Sequence, residues 1–264
     1  MNTENTKWRQ EFDSKAILLG YHGSQAQGTY RPNADKLLAS DSDIMGIIIQ
    51  PIEAYLGFGR QETIERKEPP FDVVVYDIRH FVKMLCKQNP TALSLLWLQD
   101  NYYIKRTPAG DRLIANRGLF VSKQAYNSFV GYGHSQLKRM HKMDATGYMG
   151  AKRKALVEKH GYDCKAAAHA IRLMRMGVEF LSTGSLKVMR EDNRYLVDIK
   201  TGLYKLEEVQ AESDRLMKLM DEALVRSTLP AKVDVPKAEM LLVSILADCW
   251  GIKGLEFERH GLAV

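Results

Sequence analysis

Two linked stretches decide the fold: Ala16-Ile17-Leu18-Leu19-Gly20-Tyr21-His22-Gly23-Ser24, and Ser40-Asp41-Ser42-Asp43-Ile44-Met45-Gly46-Ile47-Ile48-Ile49. The first is a short apolar run ending in a Gly-rich turn, which by length reads as a buried strand. The second is β-branched beyond its acidic opening and is stopped by Pro51, so it reads as another strand. Between them lies a stretch of small and polar residues. Carboxylates at i and i+2 on one strand project from the same face. Like charges held that close repel, and the arrangement is costly unless a cation lies between them. Asp41 and Asp43 are therefore candidate metal ligands. Magnesium, or manganese in its place, takes hard oxygen donors and commonly one or two carboxylates together with substrate phosphates. Gly23 permits close approach of backbone to a phosphate. Ser24 offers a hydroxyl and an N–H at the expected start of a helix, where the dipole favours an anion.

Working outward, Phe71–Tyr76 is a third strand, entered through Pro69-Pro70. Asp72 and Asp77 stand at its two ends and are the candidates for a third carboxylate. Five positions apart, they face opposite sides of the sheet. Asp72 shares its face with Val74 and Tyr76 and is the preferred candidate, whereas Asp77 has the position of an N-cap for a helix beginning near Arg79. Arg79–Gln88 reads as that helix. Asn89-Pro90 breaks the chain, and a second helix runs from Pro90 to Leu98. Tyr102–Lys105 is a candidate strand. From Leu119 onward the periodicity is helical, with Cys164, Ala168, Ile171, Met174, Val178 and Leu181 on one stripe. Leu206–Val225 and Ala238–Trp250 are two further helices, and Arg190–Tyr204 reads equally as a hairpin or a short helix. The expected architecture is α+β: an α/β domain with a mixed sheet over residues 1–117, then an α-helical domain over 118–264, with a cleft between them.

Composition narrows the setting. The chain has 264 residues, 45% hydrophobic and 27% charged, which is ordinary for a globular protein. No apolar run approaches the ~18–20 residues of a membrane span. The N-terminal Met1-Asn2-Thr3-Glu4-Asn5 is polar and lacks a signal-peptide core. The three cysteines, Cys86, Cys164 and Cys249, are far apart and form no metal-binding pair. A cytoplasmic, non-membrane protein is expected. Of the net charge of +6, the whole excess falls between Gly118 and Ser182, where 11 Lys/Arg face 4 Asp/Glu. Such a localised basic stretch attracts phosphates or simply solvates a helix face.

The Gly23-Ser24 turn, the Asp41-x-Asp43 pair and Asp72 resemble the DNA polymerase β-type nucleotidyltransferase superfamily. A more specific resemblance is to the YcgL-type branch of predicted nucleotidyltransferases, associated with RNA repair. That branch has Gly-Ser-Arg-Ala-Tyr-Gly-Thr followed by Ser-Asp-x-Asp-Ile-x-Gly. This chain has Gly23-Ser24-Gln25-Ala26-Gln27-Gly28-Thr29 and Ser40-Asp41-Ser42-Asp43-Ile44-Met45-Gly46. Asn89–Leu93, Ser135–Met140 and Lys159–Lys165 with His169 and Arg172 extend the similarity, which covers about Ile17–Glu179. Gln25 and Gln27 replace the branch's Arg and Tyr, and extra residues around Asn33–Ala39 lengthen the loop. The resemblance implies the transferase fold, a magnesium ion and a nucleoside triphosphate donor. It also implies catalysis by Asp41, Asp43 and Asp72.

Lys165, His169 and Arg172 follow i, i+4, i+7 spacing, opposite the apolar stripe, with Asp163 placed to cap the helix. Taken with the resemblance they are candidate nucleotide-binding residues, a clamp on the triphosphate. An ordinary solvated face, with His169 packed on a neighbour, is the plainer alternative. Lys138 and Arg139, with His141 and Lys142 near Tyr132 and Tyr148, are candidate acceptor-binding residues for an RNA end such as tRNA or damaged RNA. Helix surface decoration is the more common explanation and the preferred one. Three functional readings follow. One is transfer to RNA. Another is transfer to a protein or small molecule, as in antitoxin-like or antibiotic-modifying relatives. The third is a non-catalytic nucleotide-binding regulator.

Overall fold

A computed structural model describes residues 4–31, 40–59, 61–140 and 151–253, with the side chains of 151–153 excluded. The chain divides into two compact units. The first takes in residues up to Gln25, Asp41–Val121 and the stretch from Lys232, and the second holds Ala26–Ser40 and Ser122–Ala231.

The first unit is built on a five-stranded mixed sheet, so the α+β class is as expected. In chain order its strands are β1 (Ala16–Tyr21), β2 (Ser42–Ile48), β3 (Thr63–Glu68), β4 (Phe71–Asp77) and β5 (Tyr103–Arg106), arranged β3-β4-β2-β1-β5. β2 and β4 pair in parallel and the remaining pairs are antiparallel. Strict alternation along β4 sends Phe71, Val73 and Val75 into a core with Ile44 and Ile48. Helix α1 (Lys7–Phe12) closes that core with Trp8 and Phe12, and Trp8 meets Phe71 edge-on at 5.9 Å. Each of the first two strands expected from the sequence is present. β3 is not among those expectations: its residues, Thr-Ile-Glu-Arg-Lys-Glu, show no apolar alternation because the strand is largely exposed at the sheet edge.

Between β1 and β4 lie two short helices, α2 (Gly23–Ala26) and α3 (Ile52–Leu56). Helix α4 (Ile78–Cys86) starts at Asp77, whose carboxylate accepts from the Arg79 N–H at 3.0 Å. It buries Ile78, Phe81, Val82 and Leu85, a 3–4 spacing that makes one apolar face. Helix α5 (Pro90–Leu96) has Pro90 in its first turn and Asn89 as N-cap, accepting from the N–H groups of Thr91 and Ala92. Helix α6 (Pro108–Ala115) follows β5.

The second unit is helical: α7 (Ala125–Met140), α8 (Ala151–His160), α9 (Cys164–Thr183), α10 (Asn193–Lys200) and α11 (Leu206–Arg226). The stretch read as hairpin or helix is thus the helix α10. α9 is its spine. Asp163 caps it by accepting from the Ala166 N–H at 3.0 Å. Cys164, Ala168, Ile171, Met174 and Leu181 of the expected stripe are buried. Phe129 of α7 and Met220 of α11 close on Gly177, where an added Cβ would meet them at 3.0 and 2.7 Å. A small residue there sets how near the three helices come. A twelfth helix, α12 (Val235–Cys249), returns to the first unit and packs on α4 and α6. None of the helices described is long and apolar enough to cross a membrane.

Candidate active site

The first unit gathers the glycine turn and two carboxylates. Strand β1 ends at Tyr21, and the His22 N–H donates to the carbonyl of Asp43 at 2.8 Å, holding the turn against the start of β2. Gly23 has φ +56, in the left-handed region, and a Cβ built on it would stand 2.1 Å from Oδ2 of Asp43. Both facts demand glycine: the backbone turns the way L side chains resist, and the carboxylate occupies the space a side chain would take. Ser24 follows directly in α2. A four-residue helix sums few peptide dipoles, so the macrodipole expected at Ser24 is weak.

Asp43 and Asp72 are register partners on parallel strands β2 and β4. Paired residues share a face, so both carboxylates leave the sheet on the same side, beside the turn. Both are partly exposed and open to a ligand. Asp72 also faces Lys67, its partner on β3, with Nζ 3.7 Å from Oδ2. Such an exposed pair is weak and readily exchanged. Asp41 stands just ahead of β2, which begins at Ser42, and is exposed; the sheet fixes Asp43 but not Asp41.

Asp77 is placed differently. It is fully buried, caps α4, and accepts from Nε2 of Gln50 at 3.1 Å and from the Tyr55 hydroxyl. Its oxygens are committed to the fold, as expected of an N-cap.

Among the described residues no group of three or more His, Cys, Asp or Glu side chains is arranged as a ready metal cage. Magnesium needs no such cage: one or two carboxylates suffice when phosphates and water complete the octahedron. The Asp43–Asp72 pair beside a close-approach glycine fits that requirement.

One positioning contact joins the turn to the start of β2. The Ser42 hydroxyl donates to Oε1 of Gln25 at 2.7 Å. Ser42 is fully buried. The alternation that sends Asp43 one way sends Ser42 the other, and this was the available clue to Ser42; Gln25 offered none.

The candidate binding residues outside the sheet belong to the second unit. Lys165 and His169 are exposed on α9 and Arg172 is partly exposed, on the side away from the buried stripe. Arg172 donates to the Met176 sulfur at 3.1 Å. Burial, then the nearby Arg190, pull its pKa down to about 10. Lys138, Arg139 and Tyr132 are exposed along α7. His141, Lys142, Tyr148 and the 33–39 extension lie outside the described residues.

Beside α9 lies an ion-pair network that the sequence reading did not anticipate. Arg190 is 4% exposed and forks onto Glu179 at 2.7 and 2.8 Å while reaching Asp192 at 2.8 Å. Arg175 joins Asp192 at 2.6 Å to Glu212 at 2.7 Å and lies over the Tyr195 ring at 4.4 Å. A polar cavity of about 230 Å³ opens beside Arg175, Glu179, Arg190 and Asp192. The Arg190 backbone N–H donates to the Gln27 carbonyl at 3.3 Å.

A mixed sheet with this turn laid against a DxD strand, and an in-register aspartate on the parallel neighbour, defines a polymerase β-like nucleotidyltransferase. The model of the RNA repair pathway DNA polymerase beta family matches residues 3–231, and the chain belongs to that family. The polymerase β resemblance and its RNA-repair association are thereby borne out. No curated protein matches the chain. A crystal structure of a nucleotidyltransferase-like protein from Exiguobacterium sibiricum 255-15 aligns over 91% of this chain and 72% of that one, at 11% identity and a TM-score of 0.30.

Proposed function

We propose that the protein transfers a nucleoside monophosphate from a nucleoside triphosphate to an acceptor hydroxyl on RNA, releasing pyrophosphate. The observation that carries this reading is the in-register pairing of Asp43 and Asp72 beside a glycine whose backbone abuts the Asp43 carboxylate. Two carboxylates sharing one face of a sheet, next to a glycine turn, would suit a divalent ion together with a bound triphosphate.

In this reading Asp43 and Asp72 would hold magnesium or manganese, with Asp41 as a further ligand. The ion supplies charge neutralisation at the reacting phosphate and a lowered pKa for the attacking hydroxyl. The Gly23–Ser24 turn donates to the outer phosphates, and Ser24 adds its hydroxyl. Asp72 takes the acceptor's proton. Lys165, His169 and Arg172 grip the triphosphate, and Lys138 and Arg139 hold the RNA backbone by charge. The setting is the cytoplasm, where Cys86, Cys164 and Cys249 stay free thiols.

The test incubates the protein with each of the four labelled nucleoside triphosphates, magnesium and either total RNA or a protein lysate. Label on RNA, lost in an Asp43→Ala variant, supports the reading. Label on the protein fraction alone redirects it to a protein acceptor, and triphosphate binding without pyrophosphate release redirects it to a regulator. Binding to RNA weakens steeply with rising salt, which separates an RNA acceptor from a small one.

A further inference from the structure

The segment that joins the Gly-Ser turn to the DxD strand belongs to the helical unit. Ala26–Ser40 clusters with Ser122–Ala231, while Gln25 and Asp41, which flank it, belong to the sheet unit. Its described parts, residues 26–31 and Ser40, meet helix α10 and the loop before it at two separate places. At the start of α10 the Gln27 carbonyl accepts from the Arg190 backbone N–H at 3.3 Å. Gly28, at φ +73, lies so close that an added Cβ would stand 2.7 Å from the Met189 sulfur and 2.9 Å from Nδ2 of Asn193. At the far end of α10, Nζ of Lys200 donates to the Ser40 hydroxyl at 3.3 Å. Asn193 and Lys200 are the first and last residues of the helix, so the two places are about 10 Å apart at ~1.5 Å per residue. The Ser40 N–H also donates to the Arg31 carbonyl at 3.1 Å, which closes the base of the segment on itself. α10 therefore lies along that base and holds it both where it leaves the turn and where it returns.

A helix of eight residues is not stable alone in water, so α10 takes its firmness from its neighbours. Leu196 and Ile199 are buried. Asp192, just ahead of it, is bound by Arg175 at 2.6 Å and Arg190 at 2.8 Å. Gly202, at φ +79, ends the helix in a left-handed turn, and the Leu203 N–H reaches back to the Asp198 carbonyl at 3.0 Å. The His160 ring occupies the place a Cβ on Gly202 would take. Two residues on, the Tyr162 hydroxyl donates to the Tyr204 carbonyl at 2.6 Å. His160 and Tyr162 of the Lys159–Lys165 stretch thus clamp the turn that follows Lys200.

We infer that Lys200 is a positioning residue for Asp41: by holding Ser40 it fixes the neighbouring carboxylate at the entry to β2, where the sheet gives no support. The inference rests on the transferase reading for the role of Asp41 as a metal ligand, and not for the anchoring itself. The sign of the effect separates it from plain electrostatics. A lysine that is only a nearby cation repels a divalent ion, so its removal tightens metal binding. A lysine that places a ligand does the opposite, and outer partners that orient metal ligands are typically worth ~10–100-fold in affinity.

The experiment has two readouts. Manganese is titrated into each protein, with the free ion followed by electron paramagnetic resonance, and amide hydrogen exchange at Ser40 and Asp41 is followed in metal-free buffer. Lys200→Met and Ser40→Ala are each expected to raise the manganese Kd about tenfold and to speed exchange at both amides. Adding Lys200→Met to Asp41→Ala is expected to weaken binding no further, because the lysine acts through that carboxylate. Where the wild type binds manganese, equal or tighter binding by Lys200→Met overturns the proposal. So does a further loss in the Asp41→Ala background. If Lys200→Met does not fold, Ser40→Ala removes the same contact without altering charge, and undiminished binding there overturns the proposal equally. A wild type that binds no manganese, or an Asp43→Ala protein that binds it as well as the wild type, ends the transferase reading instead. Hydrogen exchange then decides the anchoring: faster exchange in Lys200→Met upholds it, and unchanged exchange overturns it.

Discussion

The Ser42 hydroxyl donates to Oε1 of Gln25 at 2.7 Å on one side of the DxD strand, while on the other side Gly23 lies against the Asp43 carboxylate. The turn after β1 therefore grips the start of β2 from both faces. Gln25 and Ser42 touch no reacting atom in this arrangement and act by holding Ser24 in register with Asp43. Gln25→Ala and Ser42→Ala are each expected to lower kcat/KM about fivefold, the equivalent of about 1 kcal/mol for one hydrogen bond. The double variant is expected to be little worse than either single one, since both remove the same contact. Steady-state kinetics on the three proteins checks this, and fully additive losses would show that the two side chains act separately.

Gly23→Ala tests the closeness of the turn to the carboxylate. The new Cβ would stand 2.1 Å from Asp43 Oδ2, at a backbone φ of +56. Asp43 must rotate away or the turn must open, and either change separates the proposed metal ligand from the turn proposed to hold phosphate. Transfer is expected to fall at least tenfold. Stability is expected to fall by only about 1 kcal/mol, the usual scale for a left-handed glycine replaced by alanine. A variant with wild-type kcat and KM would show that the contact has no part in catalysis.

Asp72 and Asp77 are expected to separate cleanly. Asp77 is 0% exposed and holds the Arg79 N–H, Gln50 and Tyr55 together. Asp77→Ala removes a cap and leaves buried donors unanswered, a loss of about 2 kcal/mol or more. Asp72→Asn keeps size and shape at a partly exposed site, so Tm is expected to stay within a degree or two while transfer is lost. The reverse pattern, an active Asp72→Asn protein, would remove Asp72 from the metal site.

How much of this was legible beforehand follows from which interactions are local. The glycine turn and the N-caps Asp77 and Asp163 are local features, and the two caps stand where the pattern put them, whereas of the DxD pair only Asp43 lies in the strand. β3 was not legible, because an edge strand of Thr-Ile-Glu-Arg-Lys-Glu buries too little to show a period. The in-register meeting of Asp43 with Asp72 depends on a parallel pairing that periodicity cannot specify. The return of α12 to the first unit, and the assembly of Arg175, Arg190, Glu179, Asp192 and Glu212 from two helices and the loop before α10, are tertiary facts. Pattern alone finds the charges but not their partners.

That network carries an acid-sensitive part of the stability. Burial pushes the Asp192 carboxyl up, but hydrogen bonds from Arg190 and Arg175 outweigh it and hold the pKa below the ordinary value. Glu212 is held low chiefly by the hydrogen bond from Arg215, then against burial by Arg175. A carboxyl with a depressed folded pKa binds fewer protons folded than unfolded, so stability rises with pH across that window. The contribution is fully present above the unfolded values of about 3.9 for Asp and 4.3 for Glu, and is lost as pH falls through the lower folded ones. Urea unfolding of the wild type is therefore expected to weaken steadily from pH 5 to pH 3. Asp192→Asn starts less stable at pH 5, because Arg175 and Arg190 each lose a partner, and shows a shallower slope. Parallel slopes for the two proteins would mean that the acid sensitivity arises elsewhere in the fold.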